Sequence, residues 1–430
     1  MNERLCPLCT PDPHRVFYRG QHVIALSLFS GNRVWFIEPI YHERLPMKFI
    51  HTADWQLGAK MLQAGPRASE ARESRFRAVE RLVDLATKEK VDFVLVAGDT
   101  FESPDIDDDV VRKTVNLLNR FHPLPVYILP GNHDPFVPGG IWGRPSWRRV
   151  GDHVRLLSHA EEVRVGEVAA GEAAAGPGVC LYPCPITQKR SRRDPTDWIP
   201  PRAHGDGRIR IGLAHGALDI LPGETPNFPI RPDRPEVAGL DYLALGDWHG
   251  LKLDHPLAPY PGTIEGTGYA EKDPGHVLVV EIDEPGAQPV LRPEEVGHLR
   301  WVEVQASIGD DTDLSVLEER VGPREVWARL LLRIRAEILP RCPSEAFQAF
   351  QALQDELAEG CFHLDLETVE SRTLDVALPE GIVARADEIL ETVLDGTIPE
   401  GGGRAIASEP PEVVSEARSL LHRLAAEVLR

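Results

Sequence analysis

The sequence predicts a layered α/β fold, followed by a small α+β module and a C-terminal helix. Three observations carry this. From Met47 onward, short β-branched and aliphatic runs alternate with stretches of helical period. Several of the runs end abruptly on an Asp, Asn or His. The chain has 430 residues, 42% of them hydrophobic, enough for one large α/β core and one or two smaller modules.

Taken in order, residues 1–46 read as an appendage. It carries Cys6-Pro-Leu-Cys9 and an apolar stretch over 16–26. Cys6 and Cys9, with His14 or His42, make half of a zinc pattern; a packed β appendage is the alternative. The segment looks like the opening hairpin of histidine-triad-like nucleotide-binding proteins, without the His-x-His-x-His triad. The main module, 47–295, starts with a strand at Met47. Residues 68–90 form a helical pattern with Phe76, Val79, Leu82, Val83 and Ala86 on one stripe. A buried strand follows over 92–97, then a second helix over 107–121. Asp105, Asp107, Asp108 and Asp109 suit the start of that helix, where acids meet the positive end of the macrodipole. The apolar run 126–130 is another strand, 168–178 an Ala/Gly-rich hairpin tip, and 222–235 a Pro-dense surface loop. A strand ends at Gly246, and the run 275–282 closes this module. Residues 296–375, with strands expected over 299–304 and 326–334 and a helix over 343–359, form the small α+β cap. Beyond it, 376–430 holds a Gly/Pro linker at 399–403 and an amphipathic helix over 411–430.

The polar residues at the strand ends form an ordered set: Asp54 and Gln56, Asp99, Asn132 and His133, His215, then Asp247 and His249. In open α/β sheets, ligand sites gather beyond the carboxyl ends of strands, so the set converges on one crevice. The mixture suits two divalent cations. A carboxylate such as Asp99 can bridge two ions, Asn132 offers a neutral oxygen, and in-line attack on phosphorus uses both ions. His133 suits acid–base or phosphate-stabilising work, with Asp134 holding its ring.

This run, with Gly98-Asp99, Gly131-Asn132-His133-Asp134 and Gly246-x-x-His249, resembles the calcineurin-like metallophosphoesterases over residues 47–270. The segments 49–58 and 97–101 look most like DNA-repair exonucleases of the SbcD type. The resemblance implies a layered metallophosphoesterase β-sandwich, flanked by helices, that uses two metal ions. One ion is then held by Asp54, Asp99 and His249, with Gln56 in a His position. The other is held by Asp99, Asn132 and His215, with Asp247 in a His position. The family's Asp-x-His and Gly-His-x-His stand here as Asp54-Trp55-Gln56 and Gly246-Asp247-Trp248-His249. Both replacements shift the donors from nitrogen toward oxygen, favouring Mn²⁺ or Mg²⁺ over Zn²⁺. If Gln56 does not ligate, the first site is weak and one tight metal remains.

The resemblance further implies phosphodiester hydrolysis at double-stranded DNA ends, a cap that selects those ends, and a homodimer. It also implies a C-terminal helix that docks onto an SbcC-type, SMC-like ATPase. The net charge of −20, from 67 Asp and Glu against 47 Lys and Arg, argues against strong unaided DNA binding. Basic clusters at Arg144, Arg148 and Arg149 beside Trp142 and Trp147, and at Lys189 and Arg190, are the candidates for backbone contact and base stacking. An acidic surface suits a small-nucleotide phosphodiesterase or phosphatase better. A scaffold subunit with a structural metal and a host-defence endonuclease are the other readings. No run approaches the roughly 20 apolar residues of a membrane span. Six sparse cysteines fit a reduced, cytoplasmic protein.

Overall fold

In the computed structural model, residues 46–165, 178–218, 226–339, 342–370 and 381–396 are described, with strand segments of the N-terminal region and part of 410–421. The chain divides into two compact units, Met1–Pro46 and Met47–Arg430. In the first, strands Val16–Arg19, His22–Ser30 and Arg33–Phe36 make an antiparallel three-stranded sheet. Cys6, Cys9, His14 and His42 lie outside the described residues.

The second unit is built on two sheets. The first comprises β1 (Met47–Thr52), β2 (Phe93–Ala97), β3 (Val126–Leu129) and β4 (Val154–Leu156), all parallel neighbours. The second comprises β5 (Val163–Val165), β6 (Val179–Pro183), β7 (Ile209–His215) and β8 (Tyr242–Gly246), of which β6, β7 and β8 are parallel. Two further strands, β9 (His276–Ile282) and β10 (Val290–Glu295), extend the first sheet antiparallel from β1, in the order β10-β9-β1-β2-β3-β4.

The central strands β2 and β3 of the first sheet are buried on both faces, which is why they read as continuous apolar runs. One face packs Phe49, Phe93, Leu95 and Tyr127 against Leu181, Ile211, Leu213 and Tyr242 of the second sheet. Phe49 and Phe93 stack with centroids 5.0 Å apart. The other face packs Ile50, Val94, Val96 and Ile128 under two helices. These are α1 (Ala68–Glu89), which supplies Val79 and Leu82, and α2 (Asp108–Asn119), which supplies Val115 and Leu118. Each such aliphatic side chain contributes about 1.5–3 kcal/mol when fully buried. Lys90 ends α1 in the left-handed conformation, donating its N–H to Ala86. The acids expected at the start of α2 are there: Asp107 is the N-cap, with Asp108 and Asp109 in the first turn.

Downstream, β11 (Arg300–Ile308), β12 (Leu330–Ile338) and β13 (His363–Glu370) form a parallel sheet. Helices α3 (Asp311–Val321) and α4 (Ser344–Gly360) are the crossovers, and their Leu314, Leu317, Phe350 and Leu357 fill a separate apolar core. The strand expected over 326–334 starts later, at Leu330. A short 3-10 turn, Arg324–Arg329, precedes it because Trp327 is buried there and its indole donates to the Gly322 carbonyl. Apolar contacts of Met61, Ala64 and Ala71 with Leu331 and Phe362 tie this sheet to the main sandwich. Arg67 reinforces the joint, donating to the Phe362 carbonyl at 3.1 Å. A last helix, Ile382–Leu394, meets the described positions of 411–421, which are helical. There Val414 is buried and Arg418 pairs with Asp387 at 2.7 Å. The expected Ala/Gly tip falls largely outside the described residues, as does the end of the C-terminal helix. Among the described residues, no helix is long and apolar enough to cross a membrane. Cys180, Cys184, Cys342 and Cys361 are buried and outside any disulfide.

Candidate metal centre

The carboxyl ends of β1, β2, β3, β7 and β8 meet at one edge of the sandwich. Backbone bonds knit them there: Asp54 N–H donates to the Gly98 carbonyl at 3.1 Å, and Gly216 N–H to the Gly246 carbonyl at 3.1 Å. Donor atoms of Asp54, Asp99 and His215, all buried, lie within 4.8 Å of one another.

The chain bends sharply to present these groups. Asp54, Gln56, Asp99 and Asp247 have φ of 51°, 43°, 50° and 98°. Non-glycine residues take such values at a cost of order 1–3 kcal/mol each, and such strain clusters at functional sites. Glycine is required where backbones close in. A Cβ on Gly98 would stand 2.2 Å from His215 Nδ1, and one on Gly131 would stand 2.1 Å from an Asp99 carboxylate oxygen.

Both histidines are oriented by what their Nδ1 atoms touch. His215 Nδ1–H donates to the Ala97 carbonyl at 2.8 Å, leaving Nε2 toward the cluster. That Nε2 lies 2.8 Å from Asn132 Oδ1, 3.4 Å from Asp99 Oδ2 and 3.6 Å from Asp247 Oδ1. The ring thus faces three oxygens with its only remaining nitrogen. Only a proton or a cation reconciles such a set of acceptors. In proton terms, burial pulls His215 down but Asp99, Asp54 and Asp247 outweigh it and hold the imidazole well above its ordinary range. Burial pushes Asp54 up to about 7, with His215 and His249 pulling the other way. Asp99 is also pushed up by burial, but the neighbouring His215 and His133 outweigh that and hold it below the usual carboxylate range. Crowded, buried carboxylates with two outward imidazole nitrogens are a donor set that suits divalent cations.

His249 Nδ1 pairs with Glu271 Oε1 at 2.6 Å, and the Gln56 amide lies 2.8 Å from His249 Nε2. Rotation of that amide about its last bond presents the oxygen instead. The structure therefore brings Gln56 beside His249, and Asn132 and Asp247 beside His215. The supporting residues are ones the sequence did not disclose. Arg75, fully buried, donates to the carbonyls of Trp55 at 2.6 Å and Glu265 at 2.6 Å and to Thr263 Oγ1 at 3.1 Å, pinning the Asp54 loop. Glu265 in turn accepts from the backbone N–H of Leu299 at 2.8 Å. The unassigned acids Glu265 and Glu271, just after the last motif, were the available signal.

His133 and Asp134 divide differently from expectation. The Asp134 carboxylate accepts from the N–H groups of Gly131 at 2.7 Å and Phe101 at 3.0 Å, so it holds the loop and does not orient His133. The ring is held instead by the Glu102 carbonyl, 2.8 Å from Nδ1, while the His133 N–H donates to Asp99 at 2.9 Å. A second correction concerns the aromatic and basic clusters. Trp142 and Trp147 are buried against Phe101, and the Trp142 indole donates to the Asp134 carbonyl. A buried indole cannot stack on a base. Arg144 is likewise committed, to the carbonyls of Pro104 and Ile106. Arg148 and Arg149 are exposed on the 3-10 turn Trp147–Arg149. Lys189 and Arg190, with Arg192, line a cleft of about 790 Å³ together with Asn132 and His133.

Comparison with known proteins agrees with this geometry. Residues 47–260 match the calcineurin-like phosphoesterases, and that part of the chain belongs to this family of metal-dependent phosphoesterases. The uncharacterized metallophosphoesterase YhaO of Bacillus subtilis is 27% identical over 338 residues, covering 73% of this chain and 78% of its own. The DNA double-strand break repair protein Mre11 of Aeropyrum pernix is 24% identical over 305 residues, 67% and 72% of the two chains. The SbcD component of the nuclease SbcCD of Bacillus subtilis is 27% identical over 326 residues, 68% and 80%.

Proposed function

We propose that this chain is a metal-dependent DNA exonuclease, the nuclease subunit of a repair complex with an SbcC-type ATPase. One observation carries the reading: the cleft bearing Lys189, Arg190 and Arg192 opens on Asn132 and His133, at the edge of the buried donor cluster. Three cations beside a phosphoesterase centre suit a substrate with more than one phosphate. The similarity to Mre11 and to the SbcD component of SbcCD, each over about two thirds of this chain, supports the same substrate class.

Asp54, Asp99, Gln56 and His249 would hold one cation, and Asp99, Asn132, His215 and Asp247 the other, Mn²⁺ being the ion that suits these oxygen-rich donors best. Bound ions supply Lewis acidity toward the phosphoryl oxygen and a more acidic water. The protein's own part is positional. Lys189, Arg190 and Arg192 hold the phosphodiester backbone in the cleft, and His133, its Nδ1–H on the Glu102 carbonyl, keeps Nε2 for the leaving oxygen or the transition-state charge. The parallel sheet at 300–370 acts as the cap beside the centre, and the helix from 411 is the docking element for the ATPase.

The deciding experiment is Mn²⁺-dependent digestion of end-labelled linear duplex DNA, with Asp99→Ala as control. Shortening from the ends that the control lacks is the expected result. No cleavage with two metals bound would transfer the site to a small phosphodiester, the reading that the net charge of −20 favours. No cleavage with one metal or none would make the chain a scaffold.

A further inference from the structure

Trp248 stands between Asp247 and His249, yet its side chain is turned out of the fold: the residue is 50% exposed, and it is the one aromatic among the exposed large hydrophobic side chains of the described residues. Half-exposing an indole forfeits burial that this residue type usually obtains. Its backbone is nonetheless fixed on both sides. The N–H of Asp247 donates to the Asp54 carboxylate at 3.1 Å, and the carbonyl of His249 accepts from Thr263 N–H at 2.9 Å. An exposed ring on so firm a mount loses little freedom when something stacks on it. The Lys252 ammonium lies 5.3 Å from the ring centroid.

Resting on the nuclease reading above, we infer that Trp248 is a nucleobase platform of the metal centre. It stacks a base of the bound strand while Lys189, Arg190 and Arg192 hold phosphates in their cleft. This gives the stacking role, expected from Trp142 and Trp147, to a tryptophan whose neighbours in sequence are acidic and imidazole groups. Stacking of this kind tolerates every base and supplies affinity without sequence preference. It also sets the substrate class: a phosphodiester with a base next to the scissile linkage is favoured over one without.

The test compares a base-bearing oligodeoxynucleotide with its abasic counterpart of equal length, using wild type, Trp248→Ala and Trp248→Phe. Wild type should prefer the base-bearing substrate by roughly tenfold in kcat/KM, the preference residing in KM. W248A should bring that ratio close to one, and W248F should retain most of it. Indole emission provides a readout independent of turnover. Deoxyadenosine monophosphate should quench wild type saturably, deoxyribose 5-phosphate should not, and W248F should lose the response. An unchanged base preference in W248A, or equal quenching in W248F, overturns the platform while leaving the nuclease reading intact. If wild type cleaves neither oligonucleotide with metals bound, the nuclease reading fails, and the quenching alone then decides whether the ring binds a base.

Discussion

His215 and His249 are fixed in opposite ways. The His215 side chain is fully buried at the end of β7, its Nδ1 fixed by the Ala97 main chain. The His249 side chain is 29% exposed, lies on a loop, and is fixed by the Glu271 side chain at 2.6 Å. The first arrangement is a rigid socket whose parts come from strand ends. The second depends on one side chain holding another, and the group beside its Nε2 is the Gln56 amide, at 2.8 Å. A carboxylate partner makes an imidazole more basic, so the loop-borne half trades rigidity for donor strength. On the proposed two-ion reading, the centre would have a tight half at His215 and an adjustable half at His249, with Asp99 between them.

The largest effect expected is at that junction. Asp99→Ala should lower activity by more than about 10³-fold, roughly 4 kcal/mol of transition-state stabilisation. Metal content by elemental analysis should drop below one ion per chain; two retained ions would show that the halves share no ligand. His133→Ala should cost about 10²–10⁴ in rate while both ions stay. Metal loss in that variant would move His133 among the ligands of the buried half. Next comes Glu271→Gln, expected to weaken only the loop-borne half, by about 10–100-fold in affinity. Chelator titration should resolve it as a shift of one of two steps, and equal shifts of both would erase the distinction drawn here. Gln56→His should strengthen that same half for Zn²⁺ relative to Mn²⁺, by about tenfold.

The smallest effect concerns stability beneath the buried half. His51 contacts Tyr242 Oη and the Leu245 carbonyl, and burial pushes its imidazole down to about 3. Unfolded, the same ring takes up a proton near pH 6.5. Between those values the unfolded chain binds more protons, so stability is lost as pH falls from 6.5 toward 3. From pH 7 to 5 the loss attributable to His51 should be about 2 kcal/mol. Urea midpoints at pH 7 and pH 5 should therefore differ less in His51→Gln than in wild type; equal differences would refute the assignment.

The sandwich was legible because its strands are apolar on both faces and its helices carry clear stripes, as with Val79 and Leu82 over Val94 and Val96. The donors were legible because Asp54, Asp99 and His215 each follow a strand, and strand ends of a parallel sheet meet in space. What holds the donors was not. Arg75, Glu265 and Glu271 act across separations of 20 or more residues, 190 in the case of Arg75 and Glu265. No local pattern announces such a bond. Trp142 and Trp147 misled for the converse reason: arginines and glycines around them read as an exposed loop, whereas Phe101 and each other provide their burial. The Asp134 carboxylate was assigned to a ring and belongs to a turn, since hydrogen-bond partners three residues apart and thirty-three apart look alike in one dimension.

The left-handed backbone at Asp54, Gln56, Asp99 and Asp247 bears on how such a chain changes over generations. Each of these positions would be more comfortable as glycine, so a lineage with no use for the side chains gains stability from every such exchange. Relaxation would be a downhill walk of single steps. This chain carries Asp, Gln, Asp and Asp at the four positions, polar side chains held at the donor cluster in spite of the backbone they require.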